Sequence, residues 1–141
     1  MPARLHSDRK MMLHDFVARR LGHRILAVHT VQGAQVSLEQ ILDLHRALEV
    51  LAGQKWFVLL VDKRTRYSFS FAAQQRLFEA EGLAAIAVLF ESSVQEPAMH
   101  TLMDVGRRKI ACPIRFFLQP KLAVHWLREF VRRRELFEGF H

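Results

Sequence analysis

Residues 56–90 read WFVLLVDKRTRYSFSFAAQQRLFEAEGLAAIAVLF, two apolar runs flanking one amphipathic segment, which is the pattern of a βαβ unit. Trp56 to Val61 has no polar interruption, as a strand covered on both faces requires, so it is expected to be central in a sheet. Phe71 to Ala80 places Phe71, Gln74, Gln75, Leu77 and Phe78 on a helical wheel with one apolar stripe, closed by Gly82, and Ala85 to Phe90 supplies the next buried strand. Asp62 and the basic loop Lys63 to Tyr67 then fall where an open α/β sheet displays its functional surface, at the carboxyl ends of its strands.

Working upstream, His14 to Leu21 and Arg24 to Val31 read as two short strands separated by Gly22-His23, an N-terminal hairpin. A turn at Gln32 to Gln35 leads to Ser37-Leu38-Glu39-Gln40, a capping box in which the Ser37 hydroxyl accepts the Gln40 amide and the Gln40 side chain reaches back. The spacing of Leu38, Ile41, Leu42, His45, Leu48 and Ala52 predicts a helix over 38–52, ended by a left-handed Gly53. Downstream, Met99, Leu102, Met103 and Val105 fit a helix within Val94 to Lys109, with Pro97 near its first turn. Ile114 to Leu118 gives the last strand. Pro120 opens a final helix with Ala123, Trp126, Leu127, Phe130 and Val131 inward.

The predicted fold class is a single-domain α/β fold: an N-terminal β-hairpin, then alternating βα units, giving a mixed sheet of about four to five strands with about four helices. Residues 1–13 read as a flexible leader, 14–136 as the domain and 137–141 as a C-terminal tail. A length of 141 residues with 50% hydrophobic content suits one core. The longest apolar runs fall far short of the roughly 20 residues of a membrane-spanning helix, and no apolar stretch follows the basic N-terminus as in a secretion signal. A cytoplasmic location is the expectation. Cys112 is the single cysteine, so it forms no internal disulfide and reads as a small core hydrophobe.

The net charge of +7 is unevenly spread: six Lys/Arg against two Asp/Glu over 1–31, six against nine over 32–104, and nine against three over 105–141. Basic clusters such as Arg107–Lys109 and Arg132–Arg134 at helix ends have a structural explanation in the helix dipole and solvation. No basic stripe interleaved with exposed aromatics accompanies them, so nucleic acid is not the expected partner.

Residues 32–131 resemble the STAS-type domains, the sulphate-transporter and anti-sigma-factor-antagonist fold, in particular small stand-alone bacterial STAS-like proteins of largely unassigned role. The resemblance rests on Val36-Ser37-Leu38-Glu39, on Val58-Leu59-Leu60-Val61-Asp62-Lys63-Arg64, on Ser68 and Ser70 ahead of Phe71-Ala72-Ala73, on Glu81 to Leu89, and on Phe116-Phe117 leading into Ala123-Val124-His125-Trp126-Leu127. It implies a non-enzymatic regulatory or protein-interaction module. In the antagonists a serine at the start of the helix after this strand is phosphorylated, adding about −1.5 to −2 charge at a helix N-terminus and so changing the partner bound. That serine stands nine positions after the strand-end aspartate, and here the position is Phe71.

The candidate interaction loop is therefore Asp62, Lys63, Arg64, Arg66, Tyr67 and Phe69; Ser70 reads first as a helix N-cap, with Ser70 and then Ser68 as the candidate phosphorylation sites. Asp62 is placed to pair with Arg64 or to cap a turn. Tyr67 and Phe69 offer an apolar lip, one of them packing beneath the loop. The eight histidines show no HxH, HxxxH or HExxH spacing and there is no GxSxG elbow, so neither a metal, nor a cofactor, nor an enzymatic reaction is expected. His45 and His125 read as core or boundary residues and Trp126 as core. The expected partner is a protein, with a homodimer as the oligomeric state. The alternative is a carrier or sensor of a small anionic or lipid-like ligand held between the 62–71 loop and the Val94 to Arg108 helix.

Overall fold

The computed structural model describes residues 10–13, 15–64, 68–76, 78–91 and 112–139. Strands β1 (Lys10–Met12), β2 (Phe16–Gly22) and β3 (Ile25–Thr30) form an antiparallel meander, with Arg24 in the left-handed region (φ 60) at the turn between the last two. β4 (Gln35–Val36) precedes helix α1 (Leu38–Ala52). β5 (Phe57–Asp62), β6 (Ser68–Phe69), the short helix α2 (Phe71–Arg76), β7 (Leu83–Leu89), β8 (Ile114–Phe117) and helix α3 (Pro120–Glu138) complete the described chain. The main sheet is six-stranded in the order β1-β2-β3-β5-β7-β8, and β3, β5, β7 and β8 run parallel. β4 and β6 pair as a separate two-stranded parallel ribbon.

α1 forms where its capping box lies. The Ser37 hydroxyl accepts the Gln40 amide at 3.3 Å, Gln40 Oε1 accepts the Ser37 amide at 2.8 Å, and Gly53 (φ 65) closes the helix. Alternation along the strands then sorts the core into two layers. Leu26, Val28, Leu59, Val61, Ile86 and Val88 face α1, meeting Ile41, Leu44 and Leu48, while Ala73 and Phe78 add the α2 region. Ile25, Ala27, Val58, Leu60, Ala85 and Ala87 face the other way, onto Ala123, Leu127 and Val131 of α3. The small residues Ala27, Ala85 and Ala87 let α3 lie close to the sheet on that side.

A polar clasp fixes the C-terminal half of α3. The Trp56 ring lies between two guanidinium groups, Arg24 at 4.1 Å and Arg134 at 4.5 Å, and its Nε1 donates to Glu138 at 3.1 Å. Arg24 also donates to the Trp56 carbonyl at 2.9 Å and reaches Glu135 at 3.4 Å, while His23 contacts Glu135 at 2.7 Å. The hydrogen bond from His23, with the charges of His23 and Arg24, outweighs slight desolvation and holds the Glu135 carboxyl below the ordinary glutamate range.

Several boundaries differ from the sequence expectation. The leader assigned to 1–13 contributes β1, because Lys10–Met12 pairs with Val17 to Arg19, and this raises the expected four to five strands to six. The tail assigned to 137–141 begins inside α3, which runs to Glu138. The helix expected over Phe71 to Ala80 stops at Arg76: its buried position is Ala73, and Phe78 reaches the core from beyond the helix. The helix expected within Val94 to Lys109 lies outside the described residues, which hold three helices. None of the described helices is long and apolar enough to cross a membrane.

Candidate interaction surface

The parallel strands end together on one edge, and there the chain places most of the residues singled out above. β5 terminates at Asp62, in register with His29 of β3 and Leu89 of β7. The Arg64 guanidinium grips the Asp62 carboxylate through Nε at 3.0 Å and Nη2 at 2.8 Å, and the Arg64 amide donates to Asp62 Oδ1 at 3.0 Å. Asp62 thus both pairs with Arg64 and caps the turn that leaves the sheet. Partial burial pushes its carboxyl upward, but the Arg64 hydrogen bonds, with the charges of Arg64 and His29, outweigh this and hold it below the ordinary range.

Lys63 is anchored by its backbone, whose amide donates to the Leu89 carbonyl at 2.7 Å, and its ammonium sits 4.9 Å from the centre of the Phe69 ring. Burial lowers its pKa to about 8. The segment carrying Ser68, Phe69 and Ser70 is pinned from behind: the Ser68 amide donates to Ala34 at 3.0 Å and the Ser70 amide to Val36 at 2.8 Å. Phe69 is partly buried and packs against the core on the α1 side. Arg66 and Tyr67 lie outside the described residues.

Ser70 Oγ accepts the Ala73 amide at 3.1 Å, the N-cap geometry. Ser68 is exposed within β6. With Ser70 as cap, Phe71 becomes the first helical residue and is 76% exposed, whereas the helical-wheel pattern puts it on the inward stripe. Among the described side chains of the helix, Ala73 is the buried one. Among the described residues Phe71 is therefore an exposed aromatic of this edge, and the signal for it is the cap itself, which fixes the helix phase.

The edge joins a charge-paired clamp, a desolvated lysine and an exposed phenylalanine, chemistry suited to contact. Among the described residues, no group of three His, Cys, Asp or Glu side chains could hold a metal, and no buried side-chain nitrogen or oxygen lacks a hydrogen-bond partner. Beneath Phe69 a cavity of about 20 Å³, lined by Phe16, Leu44, Leu59 and Phe78, has room for about one water. The outer wall of the alternative ligand site, Val94 to Arg108, lies outside the described residues. Cys112 is half-buried against the core, and burial pushes its thiol up. His45 is half-buried and His125 exposed, while Trp126 is half-buried beside the core that its helix neighbours fill.

No protein-family model matches the chain, and no curated protein sequence does. Among solved structures it is similar to an uncharacterised protein of the DUF3478 family with a SpoIIAA-like fold from Shewanella loihica PV-4, with a TM-score of 0.57 and 20% identity over 83% of this chain and 97% of that one. At this identity the likeness speaks to the fold, and the chain has the SpoIIAA-like, STAS-type α/β fold that Val36 to Leu127 had suggested.

Proposed function

We propose that this chain is a non-enzymatic regulatory module of the STAS type that works by protein contact, presenting the 62–71 edge to a partner and associating as a homodimer. The observation that carries the reading is Phe71: a phenylalanine 76% exposed at the start of α2, nine residues after Asp62 of the Asp62–Arg64 clamp, at the position where the antagonists carry their phosphorylated serine. Large exposed aromatics next to arginine are the residue types that dominate the energy of protein interfaces. The Ser70 hydroxyl serves as the helix cap, and in this reading the contact falls on Phe71 and Arg64.

The test is quantitative co-purification from the native host of the wild-type chain and of a Phe71→Ser, Arg64→Glu double variant. Both substitutions sit on exposed side chains and leave the core intact. The expected result is a stoichiometric partner retained by the wild type and lost from the variant. Equal recovery of every protein by both baits would overturn the assignment of this edge.

A further inference from the structure

A second surface lies on the opposite face of the sheet. α3 covers the sheet with Ala123, Leu127 and Val131, but the adjoining positions Leu122, Trp126, Phe130 and Phe137 turn sideways toward β8. With Phe117 of β8 they line an open groove of about 770 Å³. From Leu122 to Phe137 the groove follows α3 for roughly 22 Å at 1.5 Å per residue, four helical turns. Its floor is an aromatic ladder, with ring centres 5.8 Å apart for Phe117 and Trp126 and 6.3 Å for Trp126 and Phe130. Its two ends stay open to water: Leu122 is 55% and Phe137 66% exposed.

The charges along this groove are unbalanced. Its carboxylate, Glu129, is held by Arg132 at 2.7 Å, and Arg134 is drawn onto Trp56. Arg133 on α3 and Arg115 on β8 have no carboxylate within salt-bridge distance among the described residues, although Arg115 lies 5.6 Å from the centre of the Phe117 ring. An apolar floor whose lining carries three arginines, Arg115, Arg133 and Arg134, against the one carboxylate Glu129 favours an occupant that is apolar on one face and acidic on its flanks. A single acyl chain in so open a groove would keep one side wet, whereas a helix brings its own polar outer face. A second copy of the chain would crowd four arginines into one desolvated interface, which like-charge repulsion opposes.

We infer that the groove between α3 and β8 is the docking site for an acidic amphipathic helix of a protein partner, independent of the 62–71 edge. The probe is a fluorescein-labelled synthetic peptide of 18 residues, with Leu and Phe at every third or fourth position and Glu on both flanks, titrated with the full chain by fluorescence anisotropy. Saturable binding is expected, weakened at least about tenfold by Arg133→Glu and again by Phe137→Ser, and lost when the peptide's Glu are replaced by Lys. Both substituted side chains are exposed, and circular dichroism verifies that each variant is folded. Absence of saturation, or binding indifferent to peptide charge, overturns the inference. So does a wild-type dimer that Phe137→Ser dissociates, which gives the groove to a second copy. Protection of the groove by dodecyl phosphate or phosphatidylglycerol vesicles, without peptide binding, gives it to a lipid and overturns the inference equally.

Discussion

Replacing Lys63 with methionine should make this protein more stable at neutral pH. The Lys63 ammonium is drawn out of water beside Phe69, and burial lowers its pKa from 10.5 to about 8. At about 1.4 kcal/mol per pKa unit, this sets a ceiling of roughly 3.5 kcal/mol on the cost of keeping the buried amine charged. The Phe69 ring face and residual solvent contact are already felt at a half-buried position, so we expect Lys63→Met to gain about 1–2 kcal/mol at pH 7. Below about pH 8 the folded and unfolded chains both carry the proton and the full cost is present. Between about pH 8 and 10.5 the unfolded chain holds a proton that the folded chain has released, so wild-type stability rises with pH, and Lys63→Met lacks this rise. Urea denaturation at pH 7 and at pH 9.5 reads the difference. Trace acetylation with isotopic acetic anhydride, resolved by peptide mass spectrometry, reads the titration itself. At pH 7.4 about a fifth of Lys63 should be neutral, against about a thousandth of an unperturbed lysine. A labelling midpoint near 10.4, or a methionine variant no more stable than wild type, would refute the reasoning.

Three further outcomes follow from the packing. Ala87 is fully buried on the face that receives α3, and Ala87→Val should overpack that contact and cost about 1–3 kcal/mol in chemical denaturation. Gly82 has φ 86, and a Cβ built there meets the Lys55 carbonyl oxygen at 3.2 Å, so Gly82→Ala should cost about 1–3 kcal/mol by the same assay. Trp56→Leu removes the ring held between Arg24 and Arg134 together with its bond to Glu138; it should cost about 1–2 kcal/mol and speed hydrogen exchange in the last turns of α3, leaving α1 protected.

The parts of the fold that could be read from the sequence are those where one local signal acts alone. The capping box at Ser37 and the glycine at 53 bound α1 at 38–52, and the apolar runs of β5 and β7 are long enough to imply burial on both faces. β1 carries no such signal, since three residues, Lys10–Met12, are too few to alternate and their pairing depends on β2. The outer face of α3 is only partly legible, for a different reason. Positions 122, 123, 126, 127, 130 and 131 form an apolar stripe wider than one sheet can cover, so Trp126 and Phe130 pack partly against the core and also line the groove beside β8. At the candidate edge the Asp62–Arg64 pair was legible because the two residues are two apart in sequence. The exposure of Phe71 was not, because it turns on the helix phase that the Ser70 cap imposes.

The central claim is that the 62–71 edge is a contact surface, and site-specific photo-crosslinking in the native host tests it most directly. A benzophenone amino acid would replace Phe71 in one strain and Val50, 69% exposed on α1, in another. The account predicts a discrete protein adduct from position 71 that disappears with Arg64→Glu and has no counterpart from position 50. Indistinguishable adduct patterns from the two positions, or a position-71 adduct indifferent to Arg64, would contradict it.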